Sequence, residues 1–513
     1  MAPATAKPAP NLRVPVVVCV GIIGRWDPNQ EQQVASAIEA VREELEEVLD
    51  CSPARFTLAS GVDPEQQRLW AKTGSKPRSA ARTLTSWLPA EARRYFRSFK
   101  TVRARTHFLK LLHAVKENSP NPPGANRDAA EQAIRNCDVL IAIWTPPEGL
   151  IPPGAAQLMS FALEKVGRTL YWIDPSTGKV KRYDNYDGFI DWARHLNLYN
   201  AAHGQSGGIA DGVNTEIVRL EKLGSKSGLA PATLNPLYER VLPHFLRAEH
   251  LASRWQRLYL GAGFLMYLLA AVAVATGTYA TMSHASMAFV EVAEMSLILL
   301  IICFSELLEM LRRWLDYRFL AERLRAAIYL YVAGLSGKVA AAGSGQWMGR
   351  ALHWLCDIPA PPLAGDLQAV KNLSLKGWIE HQAKYYFDRS RELEKRQTFC
   401  LLLGIVLFLV AAIGAFFHGV GHIGRQEWWE GMAIVAPACG ASVAGFRSFR
   451  EFRRTSLQYG GMVRKLSQIA DRLKQATTPE EVKNLLMQAD DTIVQEHQGW
   501  RILVHVHEPI EEL

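Results

Sequence analysis

LYLGAGFLMYLLAAVAVATGTYATMSHASMAFV, residues 258–290, contains no Asp, Glu, Lys or Arg, and residues 399–424 form a second run without charge. A compact soluble core has no use for such runs. A bilayer does, because each helical crossing needs about 20 apolar residues at ~1.5 Å of rise each. Working outward, the apolar segments pair into two hairpins. Residues 258–282 and 288–308 are joined by the short TMSHAS loop, and residues 399–418 and 433–446 by GVGHIGRQEWWEGM. The first and third segments clear the length limit. The second carries acids at its ends, and the fourth is short and contains Pro437. The pattern predicts four membrane spans in an all-α region that runs to about residue 495.

The flanks orient these spans. Arg247, Arg254 and Arg257 precede the first, and Arg312, Arg313, Arg318, Arg323 and Arg325 follow the second. Arg447, Arg450, Arg453, Arg454, Arg464 and Lys465 follow the fourth, while the two hairpin loops hold only Arg425. The positive-inside bias therefore predicts both termini and the 312–398 connector in the cytoplasm. The net charge of +8 follows mainly from this topology. It suits contact with anionic lipid and gives no reason to expect direct nucleic-acid binding.

The hairpins read as a duplication. An offset of 142 residues matches Leu251 with Leu393, Arg254 with Arg396, Leu265 with Leu407, Tyr317 with Tyr459 and Leu324 with Leu466. The matches fall at equivalent places before and after each hairpin, as repeats of a two-span unit require. Coincidence among Leu-rich helices is the plain alternative.

Upstream, the grammar changes. VPVVVCVGII from Val14, RFTLASG, CDVLIAIW and RTLYWID are solid hydrophobic runs, and EQQVASAIEAVREELEEVL has helical spacing at Val34, Ile38, Val41, Leu45 and Leu49. Strands without alternation, separated by helices, indicate a doubly wound α/β domain with a parallel sheet covered on both faces. The expected divisions are a flexible 1–13, the α/β domain at 14–180 and an irregular connector at 181–235. A first helical unit follows at 236–335, a cytoplasmic connector at 336–380, a second helical unit at 381–495 and a tail at 496–513.

Composition sets outer bounds. At 513 residues, 49% apolar and 21% charged, the chain is no disordered protein and has room for roughly three domains of ~150 residues. The seven cysteines are scattered without a CxxC pair, which suggests free thiols in a reducing compartment and no zinc site. The fourteen histidines show no HxxxH or HExxH spacing. His505 and His507 alternate in a strand-like VHVH stretch, more often a sheet edge than a metal site. MAPATAKPAPNLR lacks an apolar h-region, so the first domain is expected in the cytosol.

The succession strand-GIIGR, helix, strand-LASGVD, helix, NCDVLIAIW and a Pro/Gly-rich loop resembles the SLOG superfamily over about residues 14–180. These are Rossmann-like nucleotide-binding domains related to the DNA-processing protein DprA and the LOG nucleotide phosphoribohydrolases. The helical remainder resembles a SLATT-type two-span membrane effector module, here doubled, with DYRFLAERLR its most telling stretch. The two are associated in bacterial conflict systems, so the resemblance implies a nucleotide-derived signal acting on the bacterial inner (plasma) membrane.

The resemblance also implies a binding crevice. Gly21, Ile22, Gly24 and Arg25 close the first strand, where residues without Cβ let backbone N–H groups approach a phosphate and Arg25 adds charge. Ser60, Gly61 and Asp63 close the second strand at the same carboxyl edge. A ligand-free turn and a helix cap are the structural alternatives for the two groups. Thr145 follows the NCDVLIAIW run. In the third loop, LOG hydrolases carry PGGxGTxxE, whereas this chain has Pro152-Pro153-Gly154-Ala155-Ala156-Gln157-Leu158-Met159-Ser160. Backbone contact through Gly154, Ala155 and Ala156 survives, but the catalytic Glu does not, so a binding domain is expected in place of an enzyme. Arg93, Arg94 and Tyr95 resemble the variable element that covers the ligand, with a solvated basic helix as the alternative.

Within the second span, Glu291 and Glu294 lie at its outer end and Glu306 and Glu309 at its inner end. At 100° per residue, Glu291 and Glu309 return to one helix face. Acids in a span face a polar path or mark its ends. The functional expectation is a membrane effector of antiviral defence, a homo-oligomer that permeabilises the membrane when a nucleotide signal binds. A neighbouring gene for the signal's synthase is the expected partner. The other class is a membrane-anchored nucleotide-processing enzyme. No cofactor beyond the nucleotide and no metal is expected.

Overall fold

A computed structural model describes residues 13–24, 26–50, 52–61, 85–87, 134–135, 137–143, 161–183, 189–202, 206–283, 286–335, 339, 346–359, 367–421 and 426–505. They divide into two units. One takes Asn11–His203 with Gly343–Leu355; the other takes Gly204–Ala342 with Cys356–Leu513.

The first unit is built on six strands: β1 (Val16–Gly24), β2 (Ala54–Gly61), β3 (Thr85–Trp87), β4 (Val139–Ile143), β5 (Thr169–Ile173) and β6 (Val180–Tyr183). Their order is β3-β2-β1-β4-β5-β6. The first five are parallel, and β6 adds antiparallel to the edge. Every β4 residue is buried, as expected of a central parallel strand. The helix α1 (Glu31–Val48) buries Val34, Ala37, Ile38, Val41 and Leu45, the face its spacing predicts. Burial of each branched side chain contributes ~1.5–3 kcal/mol. The sheet is therefore mixed, with only part of its helical cover among the described residues.

Two readings change here. Gly21 and Gly24 are not in a turn after β1 but within it, because Gly21 through Gly24 pair with Leu140 through Ile143 of β4. The connector expected at 181–235 is largely regular: β6 is followed by α2 (Phe189–Ala201) and α3 (Ser206–Ser227). Two of its Asn residues, the buried Asn200 and the half-buried Asn197, are hydrogen-bond pins. Asn200 accepts a hydrogen bond from the Val14 amide at 2.8 Å and donates to the Val14 carbonyl at 3.0 Å. Asn197 donates to the Val48 carbonyl at the end of α1 at 2.6 Å. A third change concerns α8 (Gln346–Cys356), which belongs partly to this unit although it comes from the connector between the hairpins. Its Arg350 reaches the buried Asp138 carboxylate and lies 4.6 Å from the Trp192 ring centroid.

The second unit is helical. A short α4 (Asn235–Arg240) leads into α5 (Leu242–Ser283), α6 (Ala288–Leu307) and α7 (Met310–Val332). After α9 (Leu367–Ser374) and a π-turn at Leu375–Ile379 come α10 (Glu380–Val420), α11 (Gln426–Phe449), α12 (Phe452–Gln475) and α13 (Pro479–His505). Among the described residues, four helical stretches are long and apolar enough to cross a membrane. The fourth is not short: Pro437 lies inside α11, which continues for 24 residues, ~36 Å of rise. The last stretch is also helical as far as His505, not strand-like, while His507 lies outside the described residues.

Glycines set the closest helix approaches. A methyl group on Gly414 of α10 would lie 3.0 Å from the Ala433 amide of α11, and one on Gly263 of α5 would lie 2.2 Å from the Phe449 ring. Such contacts are how spans associate in a solvent as apolar as their own side chains. Below them lies an ionic layer. Glu322 of α7 binds Arg318 at 3.1 Å, Arg325 at 2.8 Å and the Gln382 amide at 3.0 Å. The buried Arg323 meets Asp490 of α13 at 2.5 Å.

The two hairpins share an unusual feature. Glu309 (φ 47°, ψ 44°) separates α6 from α7, and Glu451 (φ 45°, ψ 35°) separates α11 from α12. They are the non-glycine residues with positive φ among those described, and 451 − 309 = 142. The hydrogen bonds at the breaks match as well, with Arg313 and Thr455 amides each donating at 3.0 Å to the left-handed residue's carbonyl.

Candidate functional site

The strand order reverses beside β1: β2 and β3 lie on one side, β4 and β5 on the other. In open α/β sheets the carboxyl ends at such a reversal flank the ligand crevice. Gly24 and Ile143 are paired at this edge, and Gly61 ends β2 beside them. The predicted residues Gly21, Ile22, Gly24, Ser60 and Gly61 thus come to adjacent strand ends, with Ile22 paired to Ser60. Arg25, Asp63, Arg93, Arg94, Tyr95, Thr145, Gly154, Ala155 and Ala156 lie outside the described residues.

Gly24 has a structural reason of its own. Its φ is +126°, and a Cβ there would lie 1.9 Å from the Ile143 carbonyl oxygen. No other residue lets β1 and β4 approach so closely at the switch point. Beyond it, Asp27 accepts the Asn29 amide at 2.9 Å, and the Gln30 side chain accepts the Asp27 amide at 3.1 Å. This reciprocal cap occupies donors that lead into α1 and places a carboxylate there. A phosphate entering the crevice would meet that negative charge, so the first turn is not an open anion site.

The membrane carboxylates are not equivalent. Thr276 of α5 donates to Glu294 at 3.0 Å, and a Cβ on Gly277 would lie 3.6 Å from the Glu291 carboxylate. Both acids therefore face α5 within their own hairpin. Glu306 lies within electrostatic reach of Tyr259 on α5. The face-sharing of Glu291 with Glu309 does not carry through. It needs an unbroken helix, and α6 stops at Leu307 with Glu309 in left-handed backbone.

A cavity of about 110 Å³ was not anticipated from the sequence. It is lined by Arg318, Tyr385, Arg389, Arg450, Tyr459 and Glu496, among others, where α5, α7, α10, α12 and α13 converge. Arg318 and Arg389 are held by Glu322 and Glu392. Arg450 lies 5.2 Å from the Phe452 ring centroid, faces the like charges of Arg396 and Arg389, and has no carboxylate in salt-bridge range among the described residues. The lining thus places the half-buried Arg450 guanidinium and the Glu496 carboxylate in one polar cavity. The signal in the sequence was the arginine cluster after the fourth span, read there only as a topology marker.

Searches of the curated proteins and of the solved structures return no match. The four long apolar helices among the described residues nevertheless point to a membrane protein. The second hairpin with its flanking helices, residues 375–500 of the 513, matches the family model of the SMODS and SLOG-associating 2TM effector domain 1, so this stretch is similar to a two-span effector domain.

Proposed function

We propose that the chain is a membrane effector of bacterial antiviral defence, in which a nucleotide-derived signal bound by a SLOG-like α/β domain opens an ion pathway through the inner membrane. The family match on residues 375–500 carries the effector part of this reading. The reversal of strand order beside β1 supports a ligand crevice at Gly24 and Gly61. The matched left-handed breaks at Glu309 and Glu451 support two copies of one hairpin module. A ligand that binds the closed and open states equally shifts nothing, so the signal must prefer the open state.

The test is ion flux from liposomes carrying the full-length protein, with cyclic and linear nucleotides added in turn. One nucleotide should raise flux and remain chemically unchanged. Turnover of the nucleotide without flux would make the chain a membrane-anchored nucleotide-processing enzyme.

A further inference from the structure

Within one chain the two hairpins meet through α5 and α11. Phe264 and Phe446 pack edge to face with ring centroids 5.5 Å apart. The Phe449 ring fills the space over Gly263, and the Tyr267 ring fills the space over Gly445. The contact gives α11 neighbours on both sides, since it also packs on α10. Its counterpart α6 has no buried residue.

Shifting each contact by 142 positions carries α5 onto α10 and α11 onto α6. Phe264 and Phe446 become Val406 and Phe304, Tyr267 and Gly445 become Leu409 and Cys303, and Gly263 and Phe449 become Ile405 and Leu307. All six shifted residues are apolar and exposed, Leu307 at 71% and Leu409 at 58%. Their sizes also compensate. Where Gly263 admits the large Phe449, the larger Ile405 would meet the smaller Leu307; where Tyr267 covers Gly445, the smaller Leu409 would meet the larger Cys303. The Ile405–Leu307 pair is bulkier than Gly263–Phe449 and the Val406–Phe304 pair smaller than Phe264–Phe446, so volume is roughly kept over the three pairs together, a change that packed interfaces tolerate with repacking.

We propose that α6 of one copy packs against α10 of a neighbouring copy, repeating between chains the contact that α11 makes with α5 inside the chain. The proposal rests on reading the two hairpins as repeats. The occupant of both faces is a second copy because the faces are images of an interface the chain already makes. They lie on different helices, so the contact is heterologous, and each copy offers one face forward and one back. Association then proceeds head to tail and places α6, with Glu291 and Glu294, between its own α5 and the neighbour's α10.

Cys303 makes the test simple. Membranes carrying full-length Leu409→Cys are treated with a short bifunctional thiosulfonate reagent and run without reductant. A ladder of dimers and higher species is expected, lost on reduction and lost when Cys303→Ser is added. Phe304→Cys with Val406→Cys in the Cys303→Ser background should give the same ladder and guards against misfolding of the first variant. Phe264→Cys with Phe446→Cys in that background should crosslink within one chain, seen as faster migration without a ladder. A ladder that survives Cys303→Ser overturns the proposal. So does monomer alone from both interchain pairs while the internal crosslink forms, an outcome that leaves the hairpin repeat standing and assigns both faces to lipid. Loss of the internal crosslink as well overturns both readings.

Discussion

Arg323 and Asp490 form the most consequential single contact of the helical unit. The guanidinium is buried, bonded to the carboxylate at 2.5 Å and to the Val339 carbonyl at 2.8 Å. Removing one partner of a buried pair leaves a charge without compensation and costs about 3–5 kcal/mol. Asp490→Ala should therefore lower the melting transition of detergent-solubilised protein sharply; a loss below ~1 kcal/mol would mean that the pair is solvated. At Gly24 the outcome of substitution is set by the backbone of β4. A valine there collides with the Ile143 backbone and adopts a strained φ worth about 1–3 kcal/mol, so Gly24→Val should destabilise the α/β unit itself. The binding test belongs to Arg25→Ala, expected to weaken nucleotide binding by about 1–3 kcal/mol in calorimetry with folding kept. Asp174, in the turn between β5 and β6, gives a pH prediction. Burial works to raise its pKa, but the Ser176 hydroxyl and amide and the Thr177 hydroxyl outweigh it and hold the carboxyl below its usual range. A depressed carboxylate stabilises the fold above its unfolded pKa of about 3.9 and loses that contribution as pH falls through the folded value. Asp174→Asn should accordingly flatten the acid limb of an unfolding curve below about pH 4, and an unchanged limb would contradict the hydrogen-bonded turn.

At the level of elements, the sequence was clearest where one physical constraint acts alone. The buried runs at β1, β4 and β5 and the apolar face of α1 needed only hydrophobic periodicity. The same reasoning was available for α2, whose Phe189, Trp192, Ala193, Leu196 and Tyr199 are buried at helical spacing. Asn197 and Asn200 hid it, because a residue common in turns serves there as a hydrogen-bond pin, half-buried at Asn197 and buried at Asn200. The breaks after α6 and α11 were not legible at all, since glutamate does not announce left-handed backbone. That conformation costs a non-glycine residue about 1–2 kcal/mol, partly offset in any glycine variant by the entropy of its unfolded chain. Glu309→Gly and Glu451→Gly should each raise thermal stability by roughly 0.5–1 kcal/mol and by similar amounts. A loss of stability in either would show that the carboxylate, not the backbone, is what the break requires.

For the whole molecule, charge-free runs and arginine flanks were enough to predict four spans, because a bilayer imposes length and polarity on every segment that crosses it. Which helices touch was not readable, as Gly263, Gly414 and Gly445 look alike until their neighbours are known. The candidate site was half legible: sheet topology brings Gly24 and Gly61 to adjacent strand ends, whereas Arg25, Asp63 and the later candidates lie outside the described residues. From the positive flanks we expect the chain's end beyond α13 on the cytoplasmic side. A reporter fused after Leu513 should be active only in its cytoplasmic form, and a periplasmic signal would refute an even number of crossings. The central claim is that a soluble nucleotide signal controls the membrane spans. Its most direct measurement is ion flux from liposomes containing the full-length protein, recorded before and after each nucleotide is added. Low basal flux and a saturable rise with one nucleotide, shifted to higher concentration by Arg25→Ala, are expected; flux that no nucleotide alters would rule out nucleotide control of the spans.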